Sequence, residues 1–293
     1  MQKLIDLHTH STYSDGTLSP GELVRRAKDY NIETLALTDH DTIDGIAEAL
    51  VHGQKLGIEI ITGIEMSAIY NDTTIHILGY GFNLNDDLLA ASINTIQLAR
   101  RERNKKIVEK LKKMGHEISY EELSREKGRQ TGRPHIARLL VQKGYVKNIE
   151  TAFKHFLRDG GPAYEEGYKL AARDAIHVIR KAGGLSVLAH PAKINLLKES
   201  LDSLIAQLTS YGLDGIEIFY PRHSKNDIKK LRKTAAENNL LLTGGSDFHG
   251  IMEHGDTLGG SEKKCRLPYD IWLEFKKRLG TPSQPDTIKN YTD

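Results

Sequence analysis

Cysteine is almost missing from this chain. Cys265 is the only one among 293 residues. No intrachain disulfide can form, and a structural zinc site built on thiolates is excluded. A reducing, cytoplasmic setting is the expectation. No apolar run approaches the ~20 residues that a membrane-spanning helix needs, so no membrane partner is expected. The first residues lead straight into a strand, and no secretory leader is expected either. There is no glycine-rich loop of the phosphate-cradling kind, no internal repeat and no long low-complexity tract.

What is present is a soluble, globular composition, 39% apolar and 27% charged. The length suits one large domain or two ordinary ones. The net charge of +2 hides an asymmetry. Residues 96–147 hold 15 Lys and Arg against 6 Asp and Glu, and the remainder holds 26 against 33. A basic segment is thus set into an acidic body. Such a run is either a solvated helical face or a surface for an anionic substrate.

Strand and helix patterns alternate at first. Leu4–Leu7 reads as a buried strand, apolar apart from Asp6. Ser19, Pro20 and Glu22 mark a helix start, with Ser19 as its cap. Glu33–Thr38 reads as a strand, Thr42–Leu56 as a helix, and Ile58–Thr62 and Thr74–Leu78 as strands. This alternation predicts α/β with parallel strands. The pattern then breaks. Ile96–Met114 is a long amphipathic helix, Ser119 and Glu122 form a capping box, Pro134 starts another helix, and Asn148 caps a fourth. Alternation resumes with a helix at Ala171–Ala182 and strands at Leu185–Ala189, Gly215–Tyr220 and Leu240–Thr243. Helices are expected at Leu197–Leu208, Asp227–Asn238 and Ile271–Arg278. The expected domains are residues 1–90 with 169–285, an inserted all-helical lobe at 91–168, and a polar tail at 286–293.

Candidate ligands collect at the strand ends. His8 and His10 are two apart, so strand geometry turns both imidazoles to one face. Asp15, His40, Glu65, His190, Asp247 and His249 follow other strands, and His76 lies within one. In a parallel barrel these ends share one face, where active sites are built. Imidazole and carboxylate together suit Mn, Zn or Fe(II) better than Mg or Ca. There are more ligands than one ion needs, which points to two or three divalent cations.

The succession His-x-His, Asp15, Thr38-Asp-His-Asp41, Gly63-Ile-Glu65, His76, Ala189-His-Pro191 and Ser246-Asp-Phe-His249 resembles the PHP (polymerase and histidinol phosphatase) superfamily. Thr131-Gly-Arg-Pro-His-Ile-Ala-Arg138 and Gly160-Gly-Pro-Ala-Tyr164 are similar to its TrpH / ribonuclease AM-like branch. The resemblance implies a distorted (β/α)7 TIM-like barrel with the helical lobe inserted. It also implies hydrolysis of nucleoside 3′,5′-bisphosphates, or 5′-to-3′ trimming of short RNA. His8, His10, Glu65 and Asp247 would hold one ion, Glu65, His76 and His190 a second, and Asp15, His40 and His249 a third, with Mn most favoured. His8, His10, Glu65, His190, Asp247 and His249 are the expected catalytic set, and the nucleophile would be a metal-bridging hydroxide. The alternative is a small-metabolite phosphatase of the histidinol-phosphate type. No obligate protein partner is implied. Glu165-Glu166 departs from the branch, whose members are less acidic there.

Weaker expectations concern substrate. Arg133, His135 and Arg138 stand at a helix N-terminus, where guanidinium and helix dipole favour phosphate. His223 is a further candidate. Asp39 and Asp41 suit support or capping better than ligation. His52, His116, His155, His177 and His254 fit no constellation, and Trp272 reads as core.

Overall fold

The computed structural model describes residues 4–123, 130–196, 199–250, 257–260 and 266–280. Strand β1 (Leu4–Asp6), helix α1 (Pro20–Asp29), strand β2 (Ile32–Leu37), helix α2 (Ile46–Leu56) and strand β3 (Glu59–Tyr70) come first. Ser19 caps α1 reciprocally. Its hydroxyl accepts from Glu22 N at 3.2 Å, and the Glu22 carboxylate accepts from Ser19 N at 2.8 Å. β1, β2 and β3 pair in parallel.

Two expectations fail at β3. The strand does not stop at Thr62 but runs to Tyr70, and it turns back as the antiparallel strand β4 (Thr73–Tyr80). Asn71 and Asp72 have φ of 43° and 64°. That is the two-residue hairpin turn whose twist matches the strands it joins. β4 is antiparallel to its other neighbour as well, so the sheet is mixed rather than wholly parallel. Glu65 therefore lies inside a strand and not past its end, and His76 lies within its strand, as expected.

Helix α3 (Asp87–Lys113) starts nine residues before the expected Ile96, because Asp86 caps it by accepting from Leu89 N at 2.8 Å. It is about 40 Å long. Leu89, Ile93 and Ile96 pack into the main core. Ile107, Val108 and Leu111 pack into a second, separate core. That second core is completed by α4 (Tyr120–Leu123), α5 (Arg133–Gln142), α6 (Ile149–Ala152) and a π-helical turn, Phe153–Leu157. The boundary expected at residue 91 thus falls within a continuous helix.

Alternation then resumes with β5 (Leu170–Ala171), α7 (Ala172–Lys181), β6 (Leu185–Leu188), α8 (Leu201–Ser210), β7 (Gly215–Phe219), α9 (Lys225–Glu237), β8 (Leu241–Gly244) and α10 (Tyr269–Leu279). α8 begins after the expected Leu197, which lies outside the described residues, as do His254, Cys265 and the tail 286–293. The sheet order is β1-β2-β3-β4-β6-β7-β8, with β5 added to β3. The segments just past β1 and β8 hydrogen-bond to each other, Asp247 N to His8 O at 2.8 Å and His10 N to Phe248 O at 2.9 Å. Trp272 of α10 is 2% exposed and joins the main core, as its amphipathic spacing predicts.

Candidate metal centre

The site grows out of the segment after β1. Thr9 turns outward, where its hydroxyl donates to Ala36 O at 2.6 Å. His8 and His10, one position either side, therefore turn inward, and both are fully buried. The chain next folds back on itself. A Cβ on Gly16 would stand 2.5 Å from His10 O, so only glycine fits there. Asp39 secures this loop by accepting from Ser11 N, Ser11 Oγ and Ser14 Oγ at 2.7, 2.6 and 2.6 Å. Asp15 is thereby carried up beside His10.

Glu65 is the centre of the arrangement and is 1% exposed. Its Oε2 lies 3.3 Å from His8 Nε2, 3.3 Å from His10 Nε2 and 3.1 Å from His40 Nδ1. Its Oε1 lies 2.7 Å from His76 Nδ1 and 3.0 Å from His190 Nε2. Asp247 Oδ1 lies 3.3 and 3.1 Å from His8 Nε2 and His10 Nε2. Asp15 Oδ1 lies 3.3 Å from His249 Nε2, and its Oδ2 lies 3.9 Å from His40 Nε2. All nine expected ligands are thus brought together. Eight of them fall into three overlapping groups, His8/His10/Glu65/Asp247, His40/Glu65/His76 and His10/Asp15/His40/His249, and His190 joins through Glu65 Oε1. His10 is shared by two of them.

Seven of these nine separations suit ligands grouped around ions, with His76–Glu65 shorter and His40–Asp15 longer. Two atoms each about 2.1 Å from one cation, roughly 90–110° apart, are separated by about 3.0–3.4 Å. Four imidazole nitrogens and one carboxylate oxygen here, His8 Nε2, His10 Nε2, His40 Nδ1, His76 Nδ1 and Glu65 Oε2, are buried without a well-formed hydrogen bond. Buried polar atoms are normally satisfied, and a bound cation would satisfy all five. The donor set fits divalent transition metals.

The electrostatics agree. Burial opposes ionisation of Glu65, Asp15 and Asp247, yet the surrounding imidazoles hold all three carboxyls well below the usual carboxylate range. Burial dominates at His40 and pushes it down to about 4. At His249 the carboxylates of Asp15 and Asp247 outweigh burial and lift it to about 10. The three carboxyls are thus held as carboxylates, the form that can bind a cation.

Several supporting residues escaped the sequence reading. Glu217, fully buried, accepts from His8 Nδ1 at 2.9 Å and from His190 N at 2.7 Å. Asp6 accepts from Ser246 N and Oγ at 2.9 and 2.6 Å, tying β1 to the loop of Asp247. Tyr220 donates its hydroxyl to Asp247 Oδ2 at 3.0 Å. The signal was there, since Asp6 and Glu217 each interrupt an apolar strand. Asp39 and Asp41 act as supports, as expected. Asp41 accepts from Ser67 N at 2.7 Å and pairs with Arg100. Asp41, His190 and Asp247 all have positive φ, 51°, 30° and 53°, a conformation that costs energy outside glycine and gathers at functional sites.

The substrate candidates divide. Arg133 pairs with Asp159 at 2.5 Å and lies 5.5 Å from the Tyr164 ring centroid. His135 accepts from Gly132 N at 3.1 Å, and Arg138 donates to Asp15 O at 2.5 Å, so both are engaged with backbone. His223 donates from Nδ1 to Ile218 O at 2.9 Å, leaving a buried Nε2 without a hydrogen bond beside Tyr220. A groove of about 390 Å³ adjoins His76 and His190 and is lined also by Tyr164, Glu166, Lys169 and Lys193. Glu165 turns away to Lys110 at 2.7 Å.

The PHP domain profile matches residues 6–247. The chain belongs to the PHP domain family. A 3′,5′-nucleoside bisphosphate phosphatase of Chromobacterium violaceum is 34% identical over 95% of this chain and 99% of its own length. A 5′-3′ exoribonuclease of Haemophilus influenzae is 38% identical over 88% of this chain and 95% of its own length. A solved Bifidobacterium adolescentis protein, described as a metal-dependent phosphoesterase, superposes with a TM-score of 0.85 at 28% identity, covering 95% and 97% of the two chains. Among the described residues no helix is long and apolar enough to cross a membrane.

Proposed function

We propose that this PHP domain protein is a metal-dependent phosphoesterase acting on nucleotides. Its substrates are nucleoside 3′,5′-bisphosphates, the 5′ ends of short RNA, or both. The observation that carries the reading is Glu65, a single buried carboxylate whose two oxygens face five imidazoles at 2.7–3.3 Å. A carboxylate so placed could serve adjacent cations. His8, His10 and Asp247 would hold one, His76 and His190 a second, and Asp15, His40 and His249 a third. Mn is the favoured metal, with Zn or Fe as alternatives. When bound, such ions acidify water and neutralise charge on a phosphoryl group.

The remaining roles belong to the chain itself. Glu217 orients His8, and Tyr220 orients Asp247. Arg103, Arg133, Lys169, Lys193 and His223 are the residues for a phosphorylated ligand. Arg103 interacts electrostatically with Arg100 and Arg133, and its buried Nε has no hydrogen bond. A cationic cluster of this kind suits a substrate with a second phosphate. The basic lobe would add salt-sensitive contacts to longer RNA. The edge-to-edge hydrogen bonds past β1 and β8 support the distorted (β/α)7 barrel, and the two separate cores support a helical lobe set into it, entered along α3 between Ile96 and Ile107. A cytoplasmic location accords with this chemistry.

The test is turnover by the purified protein with Mn. Adenosine 3′,5′-bisphosphate, a 5′-phosphorylated oligoribonucleotide and histidinol phosphate are compared, with His10→Ala as control. Hydrolysis of either nucleotide substrate, lost in His10→Ala, is expected. Turnover of histidinol phosphate alone would favour the small-metabolite alternative and overturn the nucleotide reading.

A further inference from the structure

The cation positions are braced from two different parts of the molecule. His8 and Asp247 are held from the sheet and its following loops, by Glu217, Tyr220 and Asp6. Asp15 is held differently. Gln130 N donates to Tyr13 O at 2.8 Å. His135 hydrogen-bonds the backbone of Ser14. Arg138 Nη2 donates to Asp15 O at 2.5 Å. Tyr13 O and Asp15 O are thus held by donors of the helical lobe, beside the hold that Asp39 and Ser11 keep on the same loop.

The chemistry suits a permanent brace. His135 Nδ1 accepts from Gly132 N, which leaves the proton on Nε2 to donate toward Ser14. Burial keeps this ring neutral at ordinary pH, with a pKa pushed down to about 4. The gripping segment is itself anchored, since Asn104 of α3 donates to Thr131 O and Oγ1 at 3.0 and 3.2 Å. α3 also reaches the neighbour of another member of the same group, because Arg100 pairs with Asp41, next to His40. A displacement of the lobe would move Asp15 while leaving His8 and Asp247 in place.

We propose that the helical lobe governs the third cation position, with Gln130, His135 and Arg138 as positioning residues that keep Asp15 beside His40 and His249. This rests on the metal reading above. It gives His135 a role in the loop, since both its ring nitrogens are engaged, and it commits one Nη of Arg138 to Asp15 O. The lobe is then more than a cover, since its grip on the Asp15 loop bears on one cation position and not on the position of His8 and Asp247.

The test counts Mn bound per chain by equilibrium dialysis with metal analysis. Wild type, Arg138→Met, Arg138→Lys and His249→Ala are compared, with circular dichroism of each metal-free protein. Arg138→Met keeps the apolar stem and loses the donors. The wild type should bind three ions. The weakest should bind at least about tenfold more weakly in Arg138→Met, the effect expected for loss of a group that orients a ligand. Arg138→Lys should recover it, and His249→Ala should lose the same ion. Three ions of unchanged affinity in Arg138→Met would overturn the inference. So would loss of all three from a folded variant, or a wild type that binds only two, although the metal reading would survive that last result. A wild type that binds none would sink the metal reading itself.

Discussion

Glu217→Gln isolates the control of a ligand from the ligand itself. The change keeps volume and shape but removes one of two acceptors, and both are in use. Oε2 takes the backbone N–H of His190 at 2.7 Å, and Oε1 takes His8 Nδ1 at 2.9 Å. The backbone proton cannot move, so the amide oxygen must stay with His190. The amide NH2 then faces His8 Nδ1, which must become an acceptor. His8 does so by carrying its proton on Nε2, toward Glu65 and Asp247, both 3.3 Å away. That nitrogen can no longer offer a lone pair to a cation. Affinity at the His8 position should fall about 10–100-fold, the usual cost of losing such a partner, or roughly 1.4–2.7 kcal/mol. In the metal-free protein both groups that Glu217 engages, His8 Nδ1 and His190 N, still find a partner, so folding stability should change by only about 1 kcal/mol. Calorimetric Mn titration beside urea unfolding of the metal-free protein reads both numbers. Unchanged Mn affinity in a folded Glu217→Gln protein would refute the reasoning.

Three further outcomes are expected. Arg100→Met strands the fully buried Asp41 carboxylate, and urea unfolding should show a loss of about 3–5 kcal/mol. Arg103→Met should raise KM for a nucleoside bisphosphate about tenfold and leave KM for a monophosphate unchanged, from the loss of one charge-assisted hydrogen bond. Equal effects on both substrates would remove Arg103 from the second-phosphate role. Chelation should abolish turnover and lower the melting temperature. Mn restored to about 100-fold its dissociation constant should return roughly 2.7 kcal/mol per site, read as a concentration-dependent melting curve.

The ligands were legible because their chemistry is concentrated in short signatures. His8-x-His10 needs only extended-chain alternation to put two donors on one face, and the segment just past β1 delivers it, whereas Asp247, at φ 53°, breaks that alternation past β8. Glu65 is expected just past a strand end but lies inside β3, whereas His76 lies within its strand as expected. The Asn71-Asp72 turn lacks the glycine that usually announces a two-residue hairpin, so β3 was cut short at Thr62 and β4 was taken as one more parallel strand. The supports were harder still. Glu217 bonds residues 209 and 27 positions away, and no local period encodes such a partnership. What the sequence did offer was the anomaly of an acid inside the strand Gly215–Phe219, a buried charge that must have a partner. Arg138 carried the opposite lesson. Guanidinium at the start of a helix reads as a phosphate site, and only the fold reveals that a backbone carbonyl is already there.

Arg103 bears on which phosphate ester this centre was built for. Its guanidinium is half-buried, and burial together with Arg100 and Arg133 lowers its pKa to about 10. Asp41 balances Arg100 and Asp159 balances Arg133. The hydrogen bond found for Arg103 is to the neutral amide of Asn104, at 3.2 Å. Holding a cation beside two others costs stability, and a protein whose only task was to hold cations for a small monoester would gain nothing from it. The arrangement becomes favourable when a ligand brings a second anion, because a phosphate then meets a guanidinium already stripped of part of its water. A bisphosphate and the 5′ end of an RNA both satisfy this requirement. They differ in how many further phosphates reach the basic lobe. Binding of a bisphosphate should weaken only modestly between 50 and 200 mM salt, whereas an oligonucleotide contacting the lobe should lose affinity in proportion to each added phosphate contact.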